Sequence, residues 1–472
     1  MFLSNRRYII DGKELQFTIT REWRLKIVIE RLISIVGTGY VGLCTAVGFA
    51  SKGYRVVTST HDSEKARLIN EGIPPFFEPG LEEFLRKVVK KGWLRCVLDR
   101  EEAVTNSSVT IISVSTPSES NGSINLRFIK RSAREIGEAL YKKDAYHLVV
   151  VKSTVVPGTS ENLVKPIVER SSGKRCGVDF GLCMNPEFLR EGSALYDTFH
   201  PDRIIIGEYD KESGGALESL YRDFLGEDTP PMIRTNLPTA ELIKYANNAF
   251  LATKVSFINT VANICQEIPK ADVTAVAEGI GLDKRIGPLF LNAGLGYGGS
   301  CLPKDVKAVI AFSRSLGYTP VLFEAVEEVN NVQPYRAIKL AKKHMGDLKD
   351  KRVAVLGLAF KPDTDDMREA VSIKVINKLL EEGASVVAYD PKAVVNARHI
   401  FGDKIEYTSS SIECLKDAEC CIIVTEWEEF RKLEPDDFVR QMKSPLVIDG
   451  RRIFDQTLFG RRLNFIGMGL SA

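Results

Sequence analysis

Short hydrophobic runs alternate with helical segments over much of the first half of the chain. Between the first two runs, residues 41–51 have the small and apolar side chains of a buried helix. Because strands separated by helices form right-handed crossovers, the pattern predicts a mainly parallel sheet over residues 32–215. The runs are Leu32–Val36, Tyr54–Ser59, 109–114, 148–151, 181–184 and 204–207.

The pattern becomes helical after residue 215 and returns to strand and helix near residue 350. Glu241–Leu251 places apolar residues on one stripe of a long helix, and almost no β signal appears before residue 339. Hydrophobic runs then recur at 352–356, 385–389, 420–424 and 446–448. We therefore predict an α/β protein with two Rossmann-like doubly wound domains, at 32–215 and 346–472. A long central helix and a helical dimerisation region, at 216–345, join them.

Residues 1–31 do not share this pattern, and we treat them as an N-terminal extension. Tyr8–Phe17 is typical of a hairpin with an Asp-Gly turn, although two strands alone are marginally stable. Charged residues interrupt this segment where a signal peptide needs an apolar core. Leu32–Ser51 is uncharged, but its glycines and its division into strand and helix favour a buried turn over a membrane span.

Composition narrows the class of protein. The chain has 472 residues, 27% of them charged, and a net charge of +2, which indicates a soluble globular protein. Such a small charge gives no reason to expect nucleic acid or a membrane as partner. Nine cysteines without a CxxC pair indicate a reducing compartment and no structural zinc. We expect a cytoplasmic protein without a metal site.

A glycine-rich turn is the first sign of a ligand. Gly37-x-Gly39-x-x-Gly42 follows a hydrophobic run and opens a helix, which favours a dinucleotide turn over a packing turn. The carboxylate that holds the ribose hydroxyls is expected about 20 residues later. The chain has Thr60 there, and the nearest carboxylate is Asp62. No arginine stands beside it in the sequence, so NAD is favoured, while Thr60 leaves NADP open. The matching turn of the second domain, at 357–361, lacks these glycines and indicates another ligand.

Cys301 is the strongest candidate for a catalytic residue. It lies in Gly298-Gly299-Ser300-Cys301-Leu302-Pro303-Lys304-Asp305, a loop that turns into a helix. Cysteine becomes nucleophilic when a cation or a helix N-terminus stabilises its thiolate. The neighbouring residues favour this role over that of a buried structural cysteine. A nicotinamide cofactor and such a thiol can oxidise an alcohol twice, through a covalently held aldehyde, to an acid.

Two pairs of polar residues are further candidates. Glu187 and Glu191 share a face if their segment is helical, and paired carboxylates favour acid–base chemistry there. Lys244 and Asn248 are one turn apart on the long helix and can stabilise an alkoxide. From the sequence alone, a solvated helix face explains this second pair better.

Seven ordered motifs resemble the UDP-glucose/GDP-mannose dehydrogenase family over about residues 32–455. They are Gly37–Gly42, Ser115-Thr116-Pro117, Asn185–Gly192, Glu241–Phe250, Phe290–Cys301, Gly357–Asp366 and Asp449–Arg452. The resemblance implies oxidation of UDP-glucose by two NAD to UDP-glucuronate. It also implies that the long helix forms a homodimer, or part of a larger homo-oligomer. Residues 290–297 are closer to the UDP-glucose branch than to the GDP-mannose branch, and GDP-mannose or a UDP-N-acetyl-hexosamine is the alternative substrate.

The resemblance also implies roles for individual residues. Cys301 holds the aldehyde as a thiohemiacetal and then as a thioester, while Lys244 and Asn248 stabilise the oxyanions. Asp305 and Thr116 position a water. Glu187 matches the general base for hydrolysis of the thioester. Arg285 matches an arginine that reaches the sugar from the partner subunit. Cofactor matches are Gly37, Gly39, Tyr40, Val41, Gly42, Thr60, Asp62, Lys65, Thr116, Glu191 and Lys304. Substrate matches are Glu187, Phe188, Leu189, Lys244, Asn248, Arg285, Phe290, Tyr297, Gly298, Cys301, Phe360, Lys361 and Arg452.

Two other functions are weighed against this one. A two-electron hydroxyacid dehydrogenase of similar architecture uses a lysine and an asparagine but has no need of Cys301. A cofactor-binding regulatory protein with a dead site is less compatible with the presence of Lys244, Asn248, Cys301 and Asp305 together.

Overall fold

The computed structural model describes residues 6–10, 13–17 and 31–471. The chain divides into two compact units, one of Met1–Glu119 with Ile124–Lys244 and the other of Ser120–Ser123 with Tyr245–Ala472. The strands β1 (Arg6–Ile10) and β2 (Lys13–Phe17) pair antiparallel, as expected of a hairpin. The Asp-Gly turn expected between them lies outside the described residues.

The first unit contains an eight-stranded sheet in the order β10-β9-β8-β7-β6-β3-β4-β5. Its neighbouring strands are parallel except for β8 and β9. The strand order reverses beside β3, so the carboxyl ends of β3 and β6 border the crevice in which doubly wound sheets bind ligands. The strands are β3 (Leu32–Val36), β4 (Arg55–Ser59), β5 (Leu94–Val97), β6 (Val109–Ile112), β7 (His147–Val151), β8 (Phe180–Met184), β9 (Ile204–Glu208) and β10 (Met232–Asn236).

Helices cover both faces of this sheet. On β7, Leu148 and Val150 belong to the apolar core on one face, and Val149 and Val151 to the core on the other. Burial on both faces explains why these strands read as continuous hydrophobic runs. The helices are α1 (Tyr40–Ser51), α2 (Ser63–Asn70), α3 (Leu81–Lys90), α4 (Arg100–Thr105), α5 (Arg127–Tyr141), α6 (Lys165–Ser172), α7 (Ala194–Phe199) and α8 (Lys211–Leu225).

The sheet of the first unit continues past residue 215, where the sequence pattern placed the end of the first domain. Strand β10 pairs with β9 and follows α8 in the chain. A long helix then begins at Leu237, and residues 245–345, all of them described, contain no strand. The helices of this stretch are α9 (Leu237–Cys265), α10 (Val273–Gly281), α11 (Leu302–Ser315), α12 (Val321–Val332) and α13 (Tyr335–Met345).

The second unit contains a six-stranded parallel sheet in the order β13-β12-β11-β14-β15-β16. This order reverses beside β11, the first strand of this sheet along the chain. The prediction of two doubly wound sheets is therefore confirmed. The strands are β11 (Arg352–Leu356), β12 (Ser385–Tyr389), β13 (Glu406–Tyr407), β14 (Cys420–Ile423), β15 (Leu446–Asp449) and β16 (Asn464–Gly467). The helices are α14 (Val371–Glu381), α15 (Val394–Phe401), α16 (Ser411–Leu415), α17 (Glu428–Arg431), α18 (Pro435–Gln441) and α19 (Gln456–Gly460).

Candidate active site

The turn between β3 and α1 has the backbone of a phosphate-binding loop. Gly37 has a φ of +113°, and a Cβ there would collide with the carbonyl oxygen of Ser113. Gly42 lies so close to the carbonyl oxygen of Gly37 that it also has no room for a side chain. Gly39 caps α1, and apart from its two neighbours in the chain no residue lies within 4 Å of the position that its Cβ would take. The first amides of α1 are therefore accessible to a pyrophosphate.

The residues after β4 differ from those of a usual ribose site. Thr60 is buried, and its hydroxyl accepts a hydrogen bond from the amide of Asp62 at 3.2 Å. Asp62 is the N-cap of α2 and accepts from the amide of Lys65 at 3.1 Å. The position expected to hold a ribose-binding carboxylate thus has a hydroxyl, and the nearest carboxylate caps a helix.

Glu187 and Lys244, which the sequence proposed separately, form a buried ion pair. The Lys244 ammonium lies 2.9 Å from Oε1 of Glu187, and Oε2 accepts from the amide of Leu189 at 2.6 Å. Burial alone would raise the pKa of Glu187, but the Lys244 charge and hydrogen bond and the Leu189 amide lower it below its usual value. The Glu187 carboxylate is therefore ionised at neutral pH.

The segment around Glu187 is not helical, so the expected pairing of Glu187 and Glu191 on one helical face is wrong. The next helix, α7, begins only at Ala194. Instead, the buried carboxylate of Glu78 accepts hydrogen bonds from the amides of Gly192 (2.8 Å) and Ala194 (2.6 Å). Glu78 thus fixes the turn that carries Glu191, a role that the sequence reasoning missed because these partners are more than a hundred residues apart.

A buried lysine beside this turn was also missed. The Lys152 ammonium donates to Oδ1 of Asn185 at 2.8 Å, and the hydroxyl of Tyr221 donates to the same atom at 2.5 Å. The amide group of Asn185 donates in turn to the carbonyl oxygen of Ile205 at 2.9 Å. Asn185 begins the segment that leads to Glu187, so this network fixes the path of the backbone before the candidate base.

Asn248, Asp305 and Lys304 form a second polar group. The side-chain amide of Asn248 donates to Oδ2 of Asp305 at 2.6 Å. The Lys304 ammonium donates to Oδ1 at 2.6 Å, and Asp305 is almost fully buried. Two donors therefore hold the Asp305 carboxylate in a fixed orientation. The sequence pattern alone favoured a solvated face for Asn248, and its burial shows that explanation to be wrong.

Cys301 stands at the start of α11 as its N-cap residue. It is the one cysteine of nine that is not buried. The hydroxyl of Ser300 lies 3.5 Å from its sulfur. Negative charge is stabilised at the N-terminus of a helix, and this position therefore suits a thiolate.

Two glycines allow the Cys301 loop to approach its neighbours closely. A Cβ on Gly298 would collide with the carbonyl oxygen of Glu369, and one on Gly299 would lie 2.7 Å from the ring of Phe360. The amide of Gly299 donates to the carbonyl oxygen of Arg368 at 2.9 Å. The loop after β11 therefore supports the cysteine loop directly.

The turn after β11 is occupied by a carboxylate of the chain itself. Asp390, which follows β12, accepts hydrogen bonds from the amides of Leu358 (2.7 Å) and Ala359 (3.0 Å) and from Nε1 of Trp427 (3.0 Å). In a dinucleotide domain the amides at this turn bind pyrophosphate. Their use by Asp390 supports the expectation that the second sheet binds a ligand of another kind.

The candidate substrate contacts of the second unit lie in loops. Arg452 donates to Asp272 at 2.9 Å, and Tyr297 is held through its backbone by Asn330. Arg285 is 88% exposed and paired with Asp283. Phe290 is partly exposed with a positive φ, and Lys361 lies 5.9 Å from the ring of Phe360.

The remaining candidates lie in the first unit. Thr116 is buried in the loop after β6, and Val41 is the second residue of α1. The ring of Phe188 lies 3.9 Å from the guanidinium of Arg203 and 5.4 Å from the Lys244 ammonium. Leu32–Ser51 forms β3 and α1, and none of the helices in the described ranges is long and apolar enough to cross a membrane.

Sequence models of one family match three stretches of the chain. The NAD binding domain of the UDP-glucose/GDP-mannose dehydrogenase family matches residues 31–225, the central domain residues 238–332, and the UDP binding domain residues 354–456. These matches confirm the resemblance carried by the motifs.

Individual relatives cover nearly the whole length. The UDP-glucose 6-dehydrogenase AglM of Haloferax volcanii is 45% identical over 422 residues, which cover 89% of this chain and 96% of the relative. The UDP-glucose 6-dehydrogenase TuaD of Bacillus subtilis is 42% identical, over 89% of each chain. The structure of a UDP-glucose dehydrogenase from Pyrobaculum islandicum superposes with a TM-score of 0.86 at 41% identity, covering 93% of this chain and 98% of that one. The chain belongs to the UDP-glucose/GDP-mannose dehydrogenase family.

Proposed function

We propose that the chain oxidises UDP-glucose to UDP-glucuronate in two NAD-dependent steps, through a covalent intermediate on Cys301. The observation that carries the proposal is the position of Cys301, the one cysteine that is not buried, at the N-terminus of a helix whose first turn holds Asp305. The activities named for the relatives at 42–45% identity support the choice of substrate.

Gly37, Gly39 and the first amides of α1 would hold the dinucleotide pyrophosphate, and the residues after β4 its ribose. When bound, the nicotinamide supplies a hydride acceptor for each of the two oxidations. The open space at Gly39 fits this role because a side chain there would obstruct the backbone amides.

The first oxidation removes a hydride and a proton from the C6 alcohol of the sugar. The Lys244 ammonium and the Asn248 amide stabilise the negative charge that develops on the C6 oxygen. The Cys301 thiolate then adds to the C6 aldehyde, so that a carbon–sulfur bond forms while the carbon–oxygen double bond becomes a single bond. The resulting oxyanion takes up a proton and gives a thiohemiacetal. Loss of a second hydride and of the hydroxyl proton gives a thioester.

Hydrolysis of the thioester releases the acid. Glu187 accepts a proton from the attacking water, which Asp305 and Thr116 position. The carbon–sulfur bond then breaks, and the thiolate of Cys301 leaves. The lowered pKa of Glu187, which follows from the balance of burial and the Lys244 charge, keeps its carboxylate unprotonated before this step.

We also propose a homodimer formed through α9. Phe250, Phe257 and Ile264 are seven residues apart, and each is more than half exposed. A stripe of this spacing on a helix is typical of a surface that packs against another helix. A second copy of the chain would cover the stripe and bring the exposed Arg285 to the site of its partner.

The number of NADH formed for each sugar tests the reaction. With a limiting amount of UDP-glucose and an excess of NAD, each UDP-glucose should give two NADH and one UDP-glucuronate. A hydroxyacid-type dehydrogenase would give one NADH, and a dead site would give no NADH. UDP-galactose, GDP-mannose and UDP-N-acetyl-glucosamine in the same assay test the choice of sugar.

The Cys301→Ser variant tests the covalent step. We expect it to bind dinucleotide as the parent does and to stop after at most one oxidation, while Cys176→Ser, at a buried cysteine, retains two. Steady release of acid by Cys301→Ser would contradict the thioester route.

A further inference from the structure

We infer that the ribose site after β4, if the proposed dinucleotide site is correct, accepts NADP as well as NAD, with Arg131 and His61 receiving the 2′-phosphate. The supporting features all lie in the first unit. The first is the neutral side chain of Thr60. The second is Arg131 of α5, which lies beside His61, the residue after Thr60. The third is the excess of positive charge around His61.

Thr60 removes the usual barrier to a 2′-phosphate. In NAD enzymes of this fold, a carboxylate at the end of the second strand binds the ribose hydroxyls and repels a phosphate on the same oxygen. Thr60 is neutral, and its hydroxyl has a proton to donate to a phosphate oxygen. Asp62, which follows closely in the sequence, is held at the start of α2 by the Lys65 amide, with the Lys65 ammonium 3.9 Å from its carboxylate.

An arginine far away in the sequence lies beside this position. Nη2 of Arg131 is 3.3 Å from Nδ1 of His61, the residue that follows Thr60. The side chains of Arg131 and His61 are 54% and 41% exposed, so a ligand at the end of β4 can reach both. The sequence showed no arginine near Thr60 because Arg131 lies 70 residues beyond His61. A guanidinium is well suited to a phosphate because it offers paired donors.

The charge around His61 is positive. Glu135 pairs with the buried guanidinium of Arg100 and, at 2.9 Å, with Nε of Arg131. Its carboxylate also lies 3.7 Å from Nε2 of His61. Two guanidinium groups thus share one carboxylate, which leaves a net positive charge beside the ring.

The pKa of His61 is lowered first by burial and then by this charge. Partial burial and the guanidinium groups of Arg100 and Arg131 lower it below the usual value, although Glu135 acts in the opposite direction. A phosphate dianion next to these groups would be attracted by both guanidiniums and would favour protonation of the ring. Because Arg100 and Arg131 share the one carboxylate of Glu135, the site has unbalanced positive charge where a 2′-phosphate would lie.

Binding measured without any sugar nucleotide tests the assignment separately from the reaction. Calorimetry compares NADH with NADPH, and 5′-AMP with 2′,5′-ADP, which differ by the 2′-phosphate alone. We expect 2′,5′-ADP to bind at least as tightly as 5′-AMP. Arg131→Gln should weaken the binding of NADPH and of 2′,5′-ADP about tenfold, and should change the affinity for NADH by no more than about twofold.

A matched control and a second variant complete the test. Arg222→Gln removes an exposed arginine of α8 that is paired with Glu218, and it should change neither affinity. Thr60→Asp introduces the carboxylate that is usual at this position in NAD enzymes. It should weaken the binding of NADPH about a hundredfold, while NADH binds as tightly as before or more tightly.

Three results would overturn the inference. One is 2′,5′-ADP that fails to bind while 5′-AMP binds. Another is an NADPH affinity that neither Arg131→Gln nor Thr60→Asp changes. If NADH and NADPH both fail to bind, the dinucleotide site itself is wrong and the inference falls with it. If either of the first two results is found and the protein still forms two NADH per UDP-glucose, the proposed reaction stands. Only the proposal that the site accepts NADP is then rejected.

Discussion

Burial divides the cysteines of the chain into two classes. For Cys44, Cys96, Cys176, Cys183, Cys265, Cys414, Cys420 and Cys421, burial raises the pKa of the thiol. Cys301 is partly exposed and stands at a helix N-terminus. Only the thiolate is nucleophilic, so both accessibility and ionisation favour reaction at this one residue.

Alkylation should therefore be selective. Brief treatment of the native protein with iodoacetamide near neutral pH is expected to modify Cys301 before any other cysteine, with activity lost in proportion. Peptide mass spectrometry locates the modified residue, and Cys301→Ser should incorporate almost no label. Faster labelling of a buried cysteine such as Cys183 would show that burial does not set the reactivity.

The pKa of His147 links stability to pH. Burial, followed by the charge of Lys143, lowers it well below the usual value of 6.5, so the folded protein keeps the imidazole neutral. As the pH falls below about 6.5 the unfolded chain binds a proton that the folded chain does not, and the free energy of unfolding decreases. The loss continues until the pH reaches the lowered pKa of the folded state.

Replacing the ring should remove this contribution. Between pH 7 and pH 5 the melting temperature of His147→Gln is expected to fall less than that of the parent, whatever its value at pH 7. The exposed His399 supplies the control, because His399→Gln should keep the slope of the parent. Equal slopes for all three proteins would mean that His147 does not titrate as its burial requires.

At the scale of elements, α9 is anchored by Glu241. This carboxylate is fully buried and accepts hydrogen bonds from the backbone amides of Gly158 (2.5 Å) and Ser160 (2.7 Å). Burial raises its pKa to about 7, although these hydrogen bonds favour the ionised form. Glu241 thus joins the helix that carries Lys244 to the segment before α6.

Removing the anchor should be costly. Glu241→Ala leaves two buried amides without their acceptor, and we expect it to lower the free energy of unfolding of the first unit by about 2–4 kcal/mol. Urea unfolding followed by fluorescence measures the change. Glu138→Ala, which truncates an exposed glutamate of α5, should cost much less. Similar losses for the two variants would contradict the anchoring role.

Within the two doubly wound sheets, the strands that the sequence predicted are those buried on both faces. Strands such as β3 and β7 consist almost entirely of apolar residues because helices cover both sides. Strand β10 was missed because it lies at the edge of its sheet, where Ile233 and Arg234 are exposed and no hydrophobic run is needed. Strand β5, at the other edge, was also missed, because it is only four residues long and includes an exposed arginine.

The site residues divide in a similar way. Gly37 and Cys301 stand out in the sequence because the roles proposed for them depend on a local backbone geometry that neighbouring residues specify. Glu78, Asp390 and Arg131 act through partners that are distant in sequence, and no local pattern predicts such contacts. The sequence therefore indicated the candidate reactive groups, whereas the residues that contact them had to come from the structure.

At the scale of the whole molecule, the exposed stripe of α9 requires a partner if the proposed dimer is correct. Phe257 lies in the middle of this stripe, and a charge there would have to be buried against the second copy. We expect Phe257→Asp to shift the mass measured by light scattering from dimer to monomer. Leu458→Asp, at an equally exposed leucine of α19, should remain dimeric. A parent protein that is monomeric at micromolar concentration would contradict the proposal.

Arg285 gives a sharper test, because a residue supplied by the partner subunit can be complemented. Arg285→Ala should raise the KM for UDP-glucose without changing the fold, since its side chain is 88% exposed. A mixed dimer of Arg285→Ala and Cys301→Ser chains contains one site with both native residues. After subunits are exchanged in equal amounts, about a quarter of the parent activity should therefore return at low substrate. If each site uses its own Arg285, mixing will restore nothing beyond the activity of Arg285→Ala alone.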